Sequence, residues 1–231
     1  FANIGVFQND FERLSELFDG VAGKIGLLGG EPLLHPQVKD FLCISRKHFP
    51  KARIRIVSNG ILLLKQKEEF WESCRQNNII VEITKYPINL KFDEMQKIAS
   101  IFGVSMEFRD DTGEVQKTSY HIPLDVEGRQ DASNNFIKCF HANFTIFLKN
   151  HKLYTCTVAP NIGHFNKYFN MDLQISDMDS IDIYKAQSAQ EIFEFLSKPI
   201  PFCKFCYVEK RSFGHKWERS QKNIKEWTVE G

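Results

Sequence analysis

The sequence predicts an α/β fold with a parallel sheet, followed by a small C-terminal extension that contains cysteines. In the first half, strand-length apolar runs alternate with segments whose apolar residues recur at helical spacing. Strands separated by such helices form βαβ units, which pair in parallel. In the second half the alternation stops, and four of the six cysteines lie in the last hundred residues. The predicted domains are therefore residues 1–124 and residues 125–231.

The elements of the first half follow a regular order. Asp10 can accept hydrogen bonds from a first helical turn, so the first helix is predicted over residues 10–21. Each later helix follows a strand and carries apolar residues on one face. The predicted strands cover residues 25–28, 53–57, 79–84 and 104–109, and the three later helices follow Pro36, contain Phe70 and contain Met95.

Shorter helices and strands are predicted in the second half of the sequence. Residues 124–135 are poor in apolar side chains and suggest a solvated connection. Alternating residues on either side of Asn150 and His151 predict a hairpin over 144–157. Ser188 can cap a helix that ends before Pro199, and residues 218–227 have the pattern of a last amphipathic helix.

Composition excludes several classes of function. The chain has 231 residues, of which 42% are hydrophobic, enough for a core without disulfide bonds. Its net charge is +1, from 30 basic and 29 acidic side chains, so no charge excess favours nucleic acid or an anionic membrane. No membrane-spanning run and no signal-peptide pattern occurs. We therefore predict a cytoplasmic protein without nucleic-acid or membrane partners.

The stretch over residues 24–36, KIGLLGGEPLLHP, is the central candidate site. A short apolar strand leads into Gly29 and Gly30, where a ligand can approach the backbone, and then delivers Glu31 at the carboxyl end of the strand. Ser58 and Asn59 end the next strand, so they should lie at the same edge, where α/β folds bind ligands. The alternative is a purely steric turn with a solvated Glu31.

A second candidate site consists of Cys139, Cys156, Cys203 and Cys206. The last two are separated by two residues, a spacing that can hold one metal ion or one corner of a cluster. Four thiolates suit tetrahedral zinc as well as [4Fe-4S], and the spacing does not choose between them. The alternative is a set of buried thiols in an aromatic-rich core. Cys43 and Cys74, which lie in helical patterns, are predicted to be buried small hydrophobic residues.

The string GGEPLLHP resembles the second signature motif of the radical S-adenosylmethionine (SAM) enzymes. The resemblance implies a partial (βα)6 barrel, a [4Fe-4S] cluster and SAM as cosubstrate. In that family the glycine-glycine-glutamate turn holds the amino group of SAM, which assigns Gly29, Gly30 and Glu31 to SAM. It also suggests that Ser58 and Asn59 bond the SAM ribose or carboxylate. The C-terminal cysteine pattern is similar to the twitch or SPASM extension of peptide-modifying members, which carries auxiliary clusters.

The family's cluster motif is not found in this chain. Radical SAM enzymes bind the catalytic cluster through a CxxxCxxC loop before the first barrel helix, whereas no cysteine precedes Cys43 here. We therefore expect the first barrel strand and the cluster loop upstream of Phe1. The chain as given is expected to be inactive.

The resemblance implies a defined reaction. Reductive cleavage of SAM at the cluster gives a 5′-deoxyadenosyl radical, which abstracts hydrogen from a peptide, protein or small-molecule substrate. The electron comes from a donor such as flavodoxin or ferredoxin. The alternative is a non-catalytic zinc-binding or scaffold protein with a degenerate barrel. A phosphate-binding α/β domain is a weaker third reading, because neither a phosphate-loop lysine nor GxGxxG accompanies the turn. Substrate, product and oligomeric state stay open.

Overall fold

The computed structural model describes residues 1–109, 118–142 and 144–229. The chain forms two compact units, Phe1–Lys117 and Thr118–Gly231. Leu124, the last residue of the predicted first domain, therefore belongs to the second unit. The assignment of separate functions to residues 1–124 and 125–231 stays a prediction.

A parallel sheet forms the centre of the first unit. Its four strands pair in the order of the sequence, with Leu27 beside Ile56 and Ile56 beside Val81. This confirms the predicted α/β class and parallel pairing. Four parallel strands are found in the described part of the chain, so the (βα)6 barrel stays a prediction. The strands are β1 Lys24–Leu27, β2 Arg53–Ser58, β3 Ile79–Thr84 and β4 Met106–Arg109.

Helices separate the strands of the first unit. They are α1 Ile4–Leu17, α2 Val38–His48, α3 Glu68–Gln76 and α4 Phe92–Ile101. The predicted start of the first helix is wrong. Asn3 caps α1, since its side chain accepts hydrogen bonds from the backbone N–H groups of Gly5 and Val6 at 2.9 and 3.1 Å. Asp10 instead lies within the helix and is buried.

The core of the first unit lies between the sheet and its helices. On β2, Ile54, Ile56 and Ser58 are buried, as the twofold alternation of a strand requires. Cys74 on α3 is fully buried, which confirms that prediction, whereas Cys43 on α2 is exposed. The prediction for Cys43 is wrong because its position on α2 falls outside the buried stripe of that helix.

The second unit contains two small antiparallel sheets. The three-stranded sheet includes the predicted hairpin, and both turn residues, Asn150 and His151, have positive φ, as a type I′ turn requires. The strands are β5 Thr118–His121, β6 Phe147–Lys149, β7 Lys152–Tyr154, β8 Ile181–Asp182 and β9 Ser212–Lys216, and the helices are α5 Ala132–Lys138, α6 Ile162–Phe169 and α7 Ala189–Leu196.

The structure corrects two predictions for this unit. The last helix is absent from residues 218–227, where only Ile224–Glu226 forms a 3-10 turn. The polar segment 124–135 is not a solvated connection. Asp125 is 3% exposed and accepts hydrogen bonds from the side chains of Arg129 and Gln130. Burial opposes its ionisation, yet these hydrogen bonds lower the pKa of Asp125, so the segment folds around a buried carboxylate.

The cap of α7 agrees with the prediction. The Ser188 side chain accepts a hydrogen bond from the backbone N–H of Glu191 at 3.2 Å. Within the described residues, no helix is both long enough and apolar enough to cross a bilayer.

Candidate functional site

The carboxylate of Glu31 lies where β1 ends and connects two segments of the first unit. Its Oε1 accepts hydrogen bonds from the backbone N–H of Leu33 at 3.1 Å and from the Ser58 hydroxyl at 2.8 Å. Its Oε2 accepts from the backbone N–H of Asn59 at 3.0 Å. Three of the residues singled out in the sequence, Glu31, Ser58 and Asn59, are therefore in direct contact. A solvated, unattached Glu31 is excluded.

The turn after β2 is built to present Ser58 and Asn59 in this way. Ser58 is buried and also accepts a hydrogen bond from the backbone N–H of Gly60 at 3.0 Å. Asn59 accepts one from the N–H of Ile61 at 2.9 Å, which is a local Asx turn. Gly60 has φ +81°, and a Cβ there would lie 3.3 Å from a methyl of Ile83. The turn therefore requires glycine at position 60.

Open space adjoins Gly29 and Gly30, the two residues that precede Glu31. A Cβ built on either glycine would meet no atom within 4 Å. Neither has positive φ, so their backbone conformation does not by itself require glycine. What the two glycines provide is uncovered backbone, which suits close approach of a ligand.

A buried ion pair in the same sheet escaped the sequence analysis. Arg55 on β2 forms a salt bridge to Glu82 on β3, and the Glu82 carboxylate is almost completely buried. Arg55 Nε and Glu82 Oε1 are nevertheless buried without a hydrogen-bond partner. The available signal was Glu82, the one charged residue in the largely apolar strand IIVEIT. A charged pair at this position makes one face of the sheet polar.

The four candidate ligand cysteines of the second unit line one cavity. It has a volume of about 240 Å³. Cys139 follows α5, Cys156 follows β7, and Cys203 and Cys206 belong to the turn that begins at Pro201. The side-chain amide of Asn135 donates hydrogen bonds to the backbone carbonyls of Cys203 and Cys206, which fixes that turn. The structure thus brings together all four cysteines predicted to form a site.

Burial controls the chemistry of these thiols. It raises the pKa of Cys203 to about 11 and also raises the pKa of Cys156 and Cys206. Neighbouring thiols raise the three values further, which is a sign of their proximity. Near neutral pH these three side chains are therefore protonated, and a bound metal would have to displace their protons.

The cavity meets some requirements of a metal centre and not others. Across the described residues, no group of three or more His, Cys, Asp or Glu side chains is already arranged to hold a metal ion. The donor set itself fits, since four cysteines line one space. In addition, His121, His141 and Thr155 line the same cavity, and each has a buried polar atom without a hydrogen-bond partner. These atoms fit a polar occupant and were not singled out from the sequence.

The alternative of a hydrophobic core is also partly realised. Cys156, Cys203 and Cys206 pack against a buried cluster that includes Leu124, Tyr154, Ile200, Phe202 and Phe205. Cys139 is not among the side chains that contact this cluster. The thiols thus lie at the boundary between the core and the cavity.

Comparison with known proteins gives a fold relationship. No protein-family model and no curated protein sequence matches the chain. A crystal structure of BtrN in complex with AdoMet and 2-DOIA matches with a TM-score of 0.50 and 19% identity, over 87% of this chain and 78% of BtrN. BtrN in an open conformation matches with a TM-score of 0.41 and 17% identity, over 85% of this chain and 73% of that one. At this identity the first match establishes a shared fold alone.

Proposed function

We propose that the protein is a radical SAM enzyme. The observation that carries the proposal is the Glu31 carboxylate, which is held by Ser58 and Asn59 beside the uncovered backbone of Gly29 and Gly30. The motif's resemblance to the radical SAM signature supports it. So does the fold shared with BtrN, whose crystal structure contains AdoMet.

The residues of this chain would act by binding and orienting SAM. Gly29 and Gly30 expose backbone to the methionine part, and the Glu31 carboxylate accepts a hydrogen bond from its amino group. Ser58 and Asn59 position Glu31 through their hydrogen bonds. Together with a reduced [4Fe-4S] cluster, bound SAM would supply radical chemistry that abstracts hydrogen from the substrate.

In the second unit, Cys139, Cys156, Cys203 and Cys206 are the proposed ligands of one further metal centre. Their shared cavity supports this assignment. Either an auxiliary [4Fe-4S] cluster or zinc satisfies a set of four thiolates. The substrate is proposed to be a peptide, a protein or a small molecule. Flavodoxin or ferredoxin is the proposed electron donor, in the cytoplasm.

Binding of SAM tests the first unit. We expect Glu31→Gln to weaken SAM binding, measured by calorimetry, by about ten- to a hundredfold, because a hydrogen bond to a charged group contributes about 1.5–3 kcal/mol. Glu16→Gln is the matched control, since Glu16 is exposed on α1 and pairs with Arg13. Equal affinity of the Glu31 variant and the wild type would overturn the assignment of Glu31.

Metal analysis tests the second unit and separates the enzyme from its alternative. Iron, acid-labile sulfide and zinc would be measured after anaerobic reconstitution, with the double variant Cys203→Ala, Cys206→Ala as control. About four irons per chain, lost in the variant, would support an auxiliary cluster. About one zinc without sulfide would favour a zinc-binding scaffold.

A further inference from the structure

Unsatisfied polar atoms are concentrated around the four-cysteine cavity. In the described residues, six buried side-chain nitrogen or oxygen atoms have no hydrogen-bond partner. Three of them, His121 Nε2, His141 Nδ1 and Thr155 Oγ1, belong to residues that line this cavity. Burying such a group without a partner costs about 1–3 kcal/mol. The cavity is therefore lined by residues whose buried polar atoms lack hydrogen-bond partners.

Thr155 presents the clearest case. The residue is 1% exposed, directly precedes Cys156, and follows the last strand of the hairpin. Its hydroxyl has neither a protein partner nor access to bulk solvent. A hydroxyl can rotate to donate to any acceptor beside it, and a thiolate sulfur is such an acceptor. If the side chain at position 155 only filled space in the core, valine would fit equally well.

His141 is held in place by its neighbours. Its ring stacks on Phe140 with the centroids 4.8 Å apart, and the Tyr120 ring lies 4.9 Å away. These contacts restrict the plane of the imidazole, while Nδ1 is left buried and without a partner. With its proton on Nδ1, the neutral ring of this cavity-lining residue can donate a hydrogen bond from that nitrogen.

His121 differs from these two residues. A backbone carbonyl of Glu226 accepts a hydrogen bond from its ring, and since Nε2 has no partner, that donor is Nδ1. The neutral ring then carries a lone pair on Nε2 and is an acceptor. A lone pair does not stabilise the negative charge of a thiolate, so His121 has no part in the role inferred below.

We propose that Thr155 and His141 donate hydrogen bonds to the metal-bound thiolate sulfurs in the four-cysteine cavity. This inference rests on the metal centre proposed above and assigns it two positioning residues. Such outer hydrogen bonds orient the ligands and stabilise the charge on sulfur, whether the centre is zinc or an iron–sulfur cluster. Their loss typically weakens metal binding by about 10- to 100-fold.

Titration with Co²⁺ under anaerobic conditions tests the inference, with the thiolate-to-cobalt charge-transfer absorption as the signal. We expect Thr155→Val to weaken Co²⁺ binding by about 10- to 100-fold. Thr155→Ser, which keeps the hydroxyl, should bind as the wild type does. This rescue separates a hydrogen-bond donor from a packing role, since serine lacks the methyl group that valine retains.

A second pair of variants covers the possibility that Thr155→Val fails to fold. His141→Phe should also weaken Co²⁺ binding, whereas His48→Phe should not. His48 is the matched control, because its Nε2 is likewise buried without a partner but lies in the first unit, on α2. Circular dichroism would confirm that the variants compared are folded.

The outcomes distinguish this inference from the proposal on which it rests. If the wild type binds neither Co²⁺ nor, after anaerobic reconstitution, iron with sulfide, or if Cys203→Ala, Cys206→Ala binds them equally well, the four-cysteine metal centre is refuted and the inference with it. If the wild type binds Co²⁺ through these cysteines and both Thr155→Val and His141→Phe match it, only the inference is overturned. In that case, buried water would be the partner of the orphan polar atoms.

Discussion

At the scale of single residues, Ser58 links the sequence of β2 to the candidate SAM site. The residue is buried, and its hydroxyl is shared between Glu31 and the backbone of the following turn. Because this hydrogen bond restricts the carboxylate before any ligand arrives, less side-chain entropy is lost on binding. On the proposed function, Ser58 would therefore support SAM binding through Glu31, and direct contact of Ser58 with SAM stays a prediction.

Removing that hydroxyl should reduce SAM affinity modestly. We expect Ser58→Ala to weaken binding by roughly fivefold, which corresponds to about 1 kcal/mol for one neutral hydrogen-bond donor. Ser100→Ala, at an exposed position on α4, is the control. Calorimetric titration of the two variants provides the comparison, and a Ser58 variant with wild-type affinity would contradict the positioning role.

The two cysteines in the helices of the first unit should differ sharply in reactivity. Burial raises the pKa of Cys74 to about 12, whereas Cys43 is exposed. Since the thiolate is the nucleophile, we expect iodoacetamide to modify Cys43 in the folded protein and Cys74 only after unfolding. Peptide mass spectrometry after timed alkylation measures both sites, and rapid modification of Cys74 in the folded chain would refute the assignment.

The raised pKa of the Cys74 thiol also predicts that the folded protein loses stability in alkali. Its pKa rises from 9.0 to about 12 on folding, so above pH 9 the unfolded chain releases this proton while the folded chain retains it. The free energy of unfolding should therefore fall between about pH 9 and pH 12, by at most about 1.4 kcal/mol per pH unit for this thiol. In Cys74→Ala, the free energy of unfolding should fall less steeply with pH between about pH 9 and pH 12. Its value near neutral pH should be lower than that of the wild type because of the cavity created.

At the scale of elements, the cap of α1 is open to a direct test. Asn3→Ala should destabilise the chain by about 1 kcal/mol, because two backbone N–H groups lose their acceptor. Asn3→Asp keeps an acceptor and should be close to the wild type. Denaturant unfolding gives the free energy of unfolding of each variant. If Asn3→Ala is as stable as the wild type, Asn3 does not cap α1.

Strands were predicted more accurately than helix ends, for a physical reason. The segment that forms β3 is rich in β-branched apolar residues on both sides of Glu82, and the predicted residues 79–84 coincide with Ile79–Thr84. At α1, Asn3 and Asp10 are both competent caps, and the buried position of Asp10 is decided by packing that no local pattern displays. In residues 218–227, the helical pattern has no buried residues in its 3-10 turn to hold it, so the local preference does not prevail.

The candidate sites were predictable to different extents. Glu31 and Ser58 meet because parallel strands end at one edge, so their contact follows from the order of elements. The neighbours of the cysteines do not follow in this way. Thr155 reads as an ordinary strand residue, and only the tertiary structure shows that its hydroxyl lacks a partner.

At the scale of the whole molecule, metal binding and folding should be coupled. If the four cysteines bind zinc only in the folded chain, zinc at a hundred times its Kd should stabilise the protein by about 2.7 kcal/mol. Thermal unfolding with and without zinc measures this gain. The Cys203→Ala, Cys206→Ala variant should gain nothing, and equal stabilisation of both chains would indicate zinc binding elsewhere.

The hydrogen bonds already made by Glu31 limit how many of its lone pairs can accept hydrogen bonds from a ligand. A carboxylate offers about four lone-pair directions. Leu33 and Ser58 use both directions of Oε1, and Asn59 uses one of Oε2. One direction on one oxygen is left, so the site can receive a single N–H from an ammonium group. A guanidinium, which needs both oxygens for its paired contact, finds one of them saturated. If Glu31 binds the SAM amino group as proposed, its remaining lone pair would accept one N–H of that group and would not accommodate a paired guanidinium.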